Sequence, residues 1–140
     1  MSTEKLSLAQ VESLATEALI GAGTRPESAK SVGKAALAAE RDGIRSHGLL
    51  YVPIYCEHVK CGKVDGAAVP EVSQPRLSAI QVDAKTGFAH PAIDAGFNEL
   101  IPLVKANGCV GLTISNSYNC GVLGYHVERL AEAGLVGIGF

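Results

Sequence analysis

The sequence has no apolar run near the roughly 20 residues that a bilayer-spanning helix needs. It has no G-x-G-x-x-G fingerprint after a strand, so a Rossmann dinucleotide fold lacks its main support. Gly43 and Gly48 are spaced as in a phosphate loop, but no Lys-Ser/Thr follows, which excludes the nucleotide-hydrolase reading. Charge is scarce. Only 19% of residues are charged and the formal net charge is -2, so there is no electrostatic reason to expect nucleic acid. With 47% hydrophobic residues, much of the surface is expected to pack against something. The four cysteines, Cys56, Cys61, Cys109 and Cys120, follow no disulfide framework and include no Cys-x-x-Cys pair. A zinc set of Cys56, His58, Cys61 and His126 is disfavoured, because a helix would spread the first three around its circumference. The polar start, Met1-Ser2-Thr3-Glu4-Lys5, does not read as a signal peptide, and reduced thiols in the cytoplasm are the simplest expectation.

What the 140 residues do contain is enough for one domain with a real core. Ser7 and Gln10 form a capping box ahead of Leu8, Val11, Leu14, Ala15, Ala18 and Leu19 at helical spacing. Gly21 and Gly23 stop that helix. Thr24 can cap the next, Pro26 suits its first turn, and Ala29, Val32, Ala36 and Ala39 make its inner face. A short helix is expected over residues 49–60, with Pro53 near its start and Gly62 after its end. Residues 66–75 carry two prolines and no lasting periodicity, and read as a loop between layers.

The second half changes character. Residues 79–83 alternate as a strand. Residues 91–105 are helical, with Ile93, Phe97, Leu100, Ile101 and Val104 inward. Residues 109–114 form an apolar strand, 115–121 a polar loop, 123–133 a helix and 135–140 a further strand. This order implies an α/β layer, whose ligands sit beyond strand C-termini, where the 115–121 loop lies. The apolar ending suggests the N-terminal part of a longer polypeptide, or a partner over the edge.

The organising stretch is Arg41-Asp42-Gly43-Ile44-Arg45-Ser46-His47-Gly48. It puts a hydroxyl, an imidazole and two guanidinium groups in a turn held between helices, where a side chain can be aimed at a ligand. By itself a Ser-His pair in a turn is more often a cap and a surface histidine. Here, however, the run from Glu40 to Gly48, followed by Pro53-Ile54-Tyr55, closely resembles the malate/L-lactate dehydrogenase family of the non-Rossmann type. Gly62-Lys63-Val64-Asp65-Gly66, Val82-Asp83-Ala84 and Ala131-Glu132-Ala133-Gly134 extend the resemblance over essentially the whole chain. Within the family, the reductases of Δ1-piperideine-2-carboxylate and Δ1-pyrroline-2-carboxylate look nearest.

The resemblance implies a non-Rossmann NAD(P)-binding fold of the α/β class. An N-terminal helical segment, residues 1–76, would carry the Ser-His-Gly motif. Residues 77–140 would begin an α/β cofactor-binding domain, a mixed-sheet layer with flanking helices, left incomplete. It also implies reduction of a small 2-oxo acid or cyclic 2-imino acid with NADP or NAD, in a homodimer. His47 matches the proton donor, and an imidazole suits that role because it titrates near neutral pH. Ser46 matches the residue that relays charge to it. Adjacent side chains seldom meet in regular structure, so a bend is expected there. Two positions depart from the family pattern. Tyr51 stands where many members carry an arginine for the substrate carboxylate, so Arg45 or Arg41 is expected to help. Asn119 stands where histidine is usual, in a cofactor loop formed by Asn119, Cys120, Gly121, Val122 and Leu123. The helix starting there could point its N-terminus at a phosphate. The alternative is a chain of the same fold that binds a nucleotide or small acid without turning it over.

Overall fold

The computed structural model describes residues 4–140. Met1, Ser2 and Thr3, the first part of the polar start, lie outside the described residues. Helix α1 (Leu8–Gly21) begins at the expected capping box. Ser7 Oγ accepts from the Gln10 N–H at 3.2 Å, and the Gln10 side chain accepts from the Ser7 N–H at 2.8 Å. Val11, Ala15 and Leu19 are buried, whereas Leu8 and Leu14 are exposed, so the inner stripe is narrower than expected. Helix α2 (Pro26–Arg41) is not capped by Thr24, as expected, but by the backbone of Arg25. Pro26 holds the residue before it extended, which makes Arg25 the N-cap and leaves Thr24 one position early. Ala29, Val32, Ala36 and Ala39 face inward as expected. A Cβ on Gly33 would run into Thr16, so the two helices meet at backbone distance.

Helix α3 (Val52–Lys60) follows two short 3-10 turns and has Pro53 in its first turn. The expected loop over residues 66–75 is in part a strand, β1 (Glu71–Arg76). It pairs antiparallel with β2 (Ala79–Asp83), with an irregularity between Ser73 and Arg76 where Pro75 sits. A sheet edge tolerates that proline because its missing N–H faces no partner. Every residue of β1 is exposed, so no alternation marks it in the sequence.

Helix α4 (Ala89–Asn107) starts two residues before the expected boundary. It buries Ile93, Phe97 and Leu100, and leaves Ile101 and Val104 half-buried. It crosses from β2 to the parallel strand β3 (Gly111–Ser115), with Val82 opposite Ile114. The sheet order is β1-β2-β3. Helix α5 (Leu123–Glu132) closes the layer. Residues 135–140 are not the expected strand. They make no strand pairing and run back along α5, with Val136, Ile138 and Phe140 almost wholly exposed. A strand exists through its ladder, and this segment has none.

One core joins Leu19, Ala29, Val32, Tyr55 and Val64 to Phe88, the N-cap of α4. A second lies between sheet and helix, around Ile80, Val82, Ala92 and Leu100. Phe88 thereby fixes the start of α4 against the helical half. No helix among the described residues is long and apolar enough to cross a membrane.

Candidate active site

The motif turn is built by the end of α2. Gly43 takes a φ of 75°, which ends the helix, and the Ile44 N–H returns to the Ala39 carbonyl at 2.7 Å. Arg45–His47 then forms a 3-10 turn and Leu49–Tyr51 another. Gly48 separates them because there is no room for a side chain: a Cβ would run into the Glu40 carboxylate. That carboxylate accepts the Leu49 N–H at 2.9 Å and so ties α2 to the second turn.

The bend brings neighbouring side chains together. Ser46 Oγ lies 3.0 Å from His47 Nδ1, and Arg45, Ser46 and His47 are all exposed. A hydroxyl both donates and accepts, so Ser46 can face Nδ1 whether the ring is neutral or protonated. The Tyr51 ring lies parallel to His47, 10° between planes and 6.3 Å between centroids. Arg41 is committed elsewhere: its guanidinium holds Asp42 at 2.7 Å and Glu128 of α5 at 2.6 Å. Arg45 forms no ion pair among the described residues, which leaves it as the available cation beside the turn.

An aromatic chain leads from this turn to the loop after β3. Tyr51 meets Tyr55 edge-on at 4.8 Å, and Tyr55 meets Phe88 at 5.5 Å, Tyr118 at 5.9 Å and His90 at 6.5 Å. The Tyr55 hydroxyl donates to Asn119 Oδ1 at 3.2 Å, and the same oxygen accepts the Gly121 N–H at 3.1 Å. Burial raises the Tyr55 phenol well above its ordinary value, helped by neighbouring Tyr51 and Tyr118, so it stays a donor. Gly121 has a φ of 67°, and a Cβ there would meet His90 Nε2 at 3.1 Å. His126 Nε2 lies 2.9 Å from the Cys120 carbonyl and donates to it. Cys120, Gly121 and Val122 are half-buried, whereas Asn119 and Leu123 are exposed. No side chain caps the N-terminus of α5.

Beneath the loop lie two buried histidines, His90 and His126, 5.6 Å apart between ring centroids. Burial drives His90 down to about 3, reinforced by the like charges that His126 and Arg129 would present. Burial also lowers His126, against the opposing hydrogen bond that its ring donates to the Cys120 carbonyl. Both rings are therefore neutral near pH 7. Nδ1 of each is buried without a partner.

Tyr55 therefore connects the two halves of the sequence-derived site: it packs on Tyr51, which lies against His47, and it hydrogen-bonds Asn119. A cleft of about 360 Å³ between α4, β3, α5 and residues 135–140 reaches Leu123 and His126 but none of Ser46, His47 and Tyr51. The sequence alone does not mark Tyr55, Glu40, His90 or His126 as parts of this site. Tyr55 was within reach, since it follows Tyr51 by one helical turn. His90 stands beside Pro91 in the sequence, and nothing local marks it as buried.

The chain is similar to known proteins over nearly its whole length. The profile of the malate/L-lactate dehydrogenase family matches residues 6–140. The (2R)-3-sulfolactate dehydrogenase (NADP(+)) of Chromohalobacter salexigens is 42% identical over 137 residues, 96% of this chain and 40% of that protein. The Δ1-pyrroline-2-carboxylate/Δ1-piperideine-2-carboxylate reductase of Pseudomonas syringae pv. tomato is 36% identical over 136 residues, 97% of this chain and 40% of that protein. The crystal structure of Δ1-piperideine-2-carboxylate reductase from the same organism superposes with a TM-score of 0.91 at 36% identity, covering 94% of this chain and 40% of that one. The chain thus spans about 40% of the length of these relatives.

Proposed function

The chain belongs to the malate/L-lactate dehydrogenase family, and on that footing we propose that it serves the NAD(P)H-dependent reduction of a small 2-oxo acid or cyclic 2-imino acid, or the reverse reaction. The observation that carries this reading is the Ser46–His47 contact, an exposed imidazole with a hydroxyl on its inner nitrogen. When bound, the nicotinamide supplies the hydride to the substrate carbon. The rest falls to this chain. His47 holds a proton at its ring and passes it to the substrate oxygen or nitrogen. Ser46 orients the ring in either protonation state. Arg45 and Tyr51 lie on the substrate side, Arg45 supplying charge for a carboxylate and Tyr51 a single phenolic donor.

The residues of the loop fit a dinucleotide. The Asn119 amide is exposed and its oxygen takes both the Tyr55 hydroxyl and the Gly121 N–H, which leaves its nitrogen as a donor; Gly121 admits close backbone approach, and no side chain caps the α5 N-terminus. Asn119, Cys120, Gly121, Val122 and Leu123 would hold the cofactor. NADP is favoured, because the name of the sulfolactate relative includes NADP(+). In this reading residues 1–76 supply the proton-transfer arm and residues 77–140 begin the cofactor layer. A cytoplasmic homodimer completes it, in keeping with four unpaired cysteines and the exposed apolar side chains of Leu50 and Ile54.

A second reading has its own support. Tyr51 in place of arginine and Asn119 in place of histidine suit a chain that binds nucleotide or acid without turnover. One assay separates the two. NADPH absorbance is followed with pyruvate, oxaloacetate, Δ1-piperideine-2-carboxylate and Δ1-pyrroline-2-carboxylate, beside a thermal-shift titration with NADPH. Turnover supports the reductase, and a nucleotide-dependent shift without turnover supports the binding protein. Neither response would leave a purely structural domain.

A further inference from the structure

Asn119 is held by two donors of fixed identity. The Gly121 N–H can only donate, so the amide atom facing it at 3.1 Å must be the oxygen. The Tyr55 hydroxyl reaches that same oxygen at 3.2 Å, a long bond but a second one. Both lone pairs of Oδ1 are then occupied. The orientation of the amide follows from this chemistry rather than from a choice between similar atoms. What remains is the NH2 group, two donors and no acceptor. Asn119 is exposed, so that group is presented to solvent rather than spent in the core. Burial and Tyr51 push the neighbouring Tyr118 phenol up to about 12, and the Asn119 side chain, close enough to donate to it, draws it back down, so one N–H faces Tyr118 and the other is left for a ligand.

We propose that Asn119 acts on the ligand as a hydrogen-bond donor only, to an acceptor oxygen of the bound cofactor or substrate, and that Tyr55 is the positioning residue that keeps it so. This rests on the reading of residues 119–123 as ligand-contacting. It goes further by fixing the sign of the contact. A carbonyl, carboxylate or phosphate oxygen satisfies it, and an N–H group does not. Tyr55 sits between Tyr51 and Asn119, so the same ring that packs beside the His47 arm sets the donor across from it.

The test is a set of variants in the full-length protein, read by KM for NADPH, KM for the acid substrate, kcat and Tm. Asn119→Asp keeps an acceptor for Gly121 and Tyr55 but replaces the outward donors with an anionic oxygen. It should raise the KM of the contacted ligand by roughly tenfold or more, and by more than Asn119→Ala does. Tyr55→Phe keeps the ring and frees the amide. It should raise the same KM by roughly three- to tenfold with Tm near the wild-type value. In an Asn119→Ala background Tyr55→Phe should add nothing, which a merely structural phenol would not show. The inference is overturned if Asn119→Asp is as good as wild type, since Asn119 would then be accepting. It is also overturned if the Asp and Ala variants are equally impaired, or if the Tyr55→Phe effect is the same in both backgrounds. If no Asn119 variant moves either KM while the wild type turns over, the loop assignment itself is wrong. A wild type that neither binds NADPH nor turns over removes the functional reading and this inference with it.

Discussion

Ser46 and His47 are neighbours in the chain, and their side chains meet, Oγ to Nδ1 at 3.0 Å. The contact needs the 3-10 turn between Gly43 and Gly48, because successive side chains in a helix or strand diverge. Replacing Ser46 by Ala should leave the fold intact, since the side chain is exposed, and reduce kcat by about fivefold, the worth of one hydrogen bond of about 1 kcal/mol. Steady-state kinetics across pH check this. An unchanged kcat would reduce Ser46 to a turn former.

Gly48 leaves room for Glu40. A Cβ there would displace the carboxylate that holds the Leu49 N–H. Gly48→Ala should therefore depress turnover through a shifted motif turn. In a Glu40→Ala background the same substitution should cost less, because the obstructing group is gone. Kinetics and Tm of the two single variants and the double variant check this non-additivity.

Gly121 carries both constraints at once. Its φ of 67° disfavours any L side chain, and the Cβ would press on His90 Nε2. Gly121→Ala should lower stability by about 1–2 kcal/mol, seen as a Tm fall of several degrees, and weaken nucleotide binding more than a distant destabilising substitution of equal Tm. Differential scanning fluorimetry with and without NADPH separates the two effects.

The turn and the loop were legible in the sequence because polar and glycine residues interrupt strong helical patterns there. Gly43 and Gly48 frame the bend, and residues 115–121 break off between an apolar strand and the helix at Leu123. What was not legible depends on distant partners. Tyr55 acquires its role from Asn119, 64 residues away in the chain, and looks locally like any aromatic on a helix. His90 is buried only because α4 enters beside α5 and Tyr55. β1 hides because an edge strand exposed along its whole length has no alternation, and residues 135–140 mislead because apolar composition does not by itself supply a ladder.

The buried histidines make stability depend on pH in a stated direction. The folded values of His90 and His126 lie below that of an ordinary histidine, so the unfolded chain binds more protons in the acid range. Their contribution is complete above about pH 6.5 and is lost as pH falls towards 3 for His90, roughly 2 kcal/mol by pH 5 for that residue. The groups facing the pair are Arg129, Asp94, Tyr55, Tyr125 and the Cys120 carbonyl. Tm should drop between pH 7 and pH 5 in the wild type and drop less in His90→Gln. Parallel slopes for the two proteins would mean that His90 is not held neutral by burial.

Proton delivery by the His47 imidazole in a nicotinamide-dependent reduction is what the proposed function requires first. The most direct measurement is kcat of His47→Ala against wild type in the full-length protein, with NADPH and whichever 2-oxo or 2-imino acid the wild type reduces, alongside NADPH affinity. The expected result is a loss of roughly 100-fold or more in kcat with NADPH affinity largely kept. A variant that turns over at the wild-type rate would contradict it.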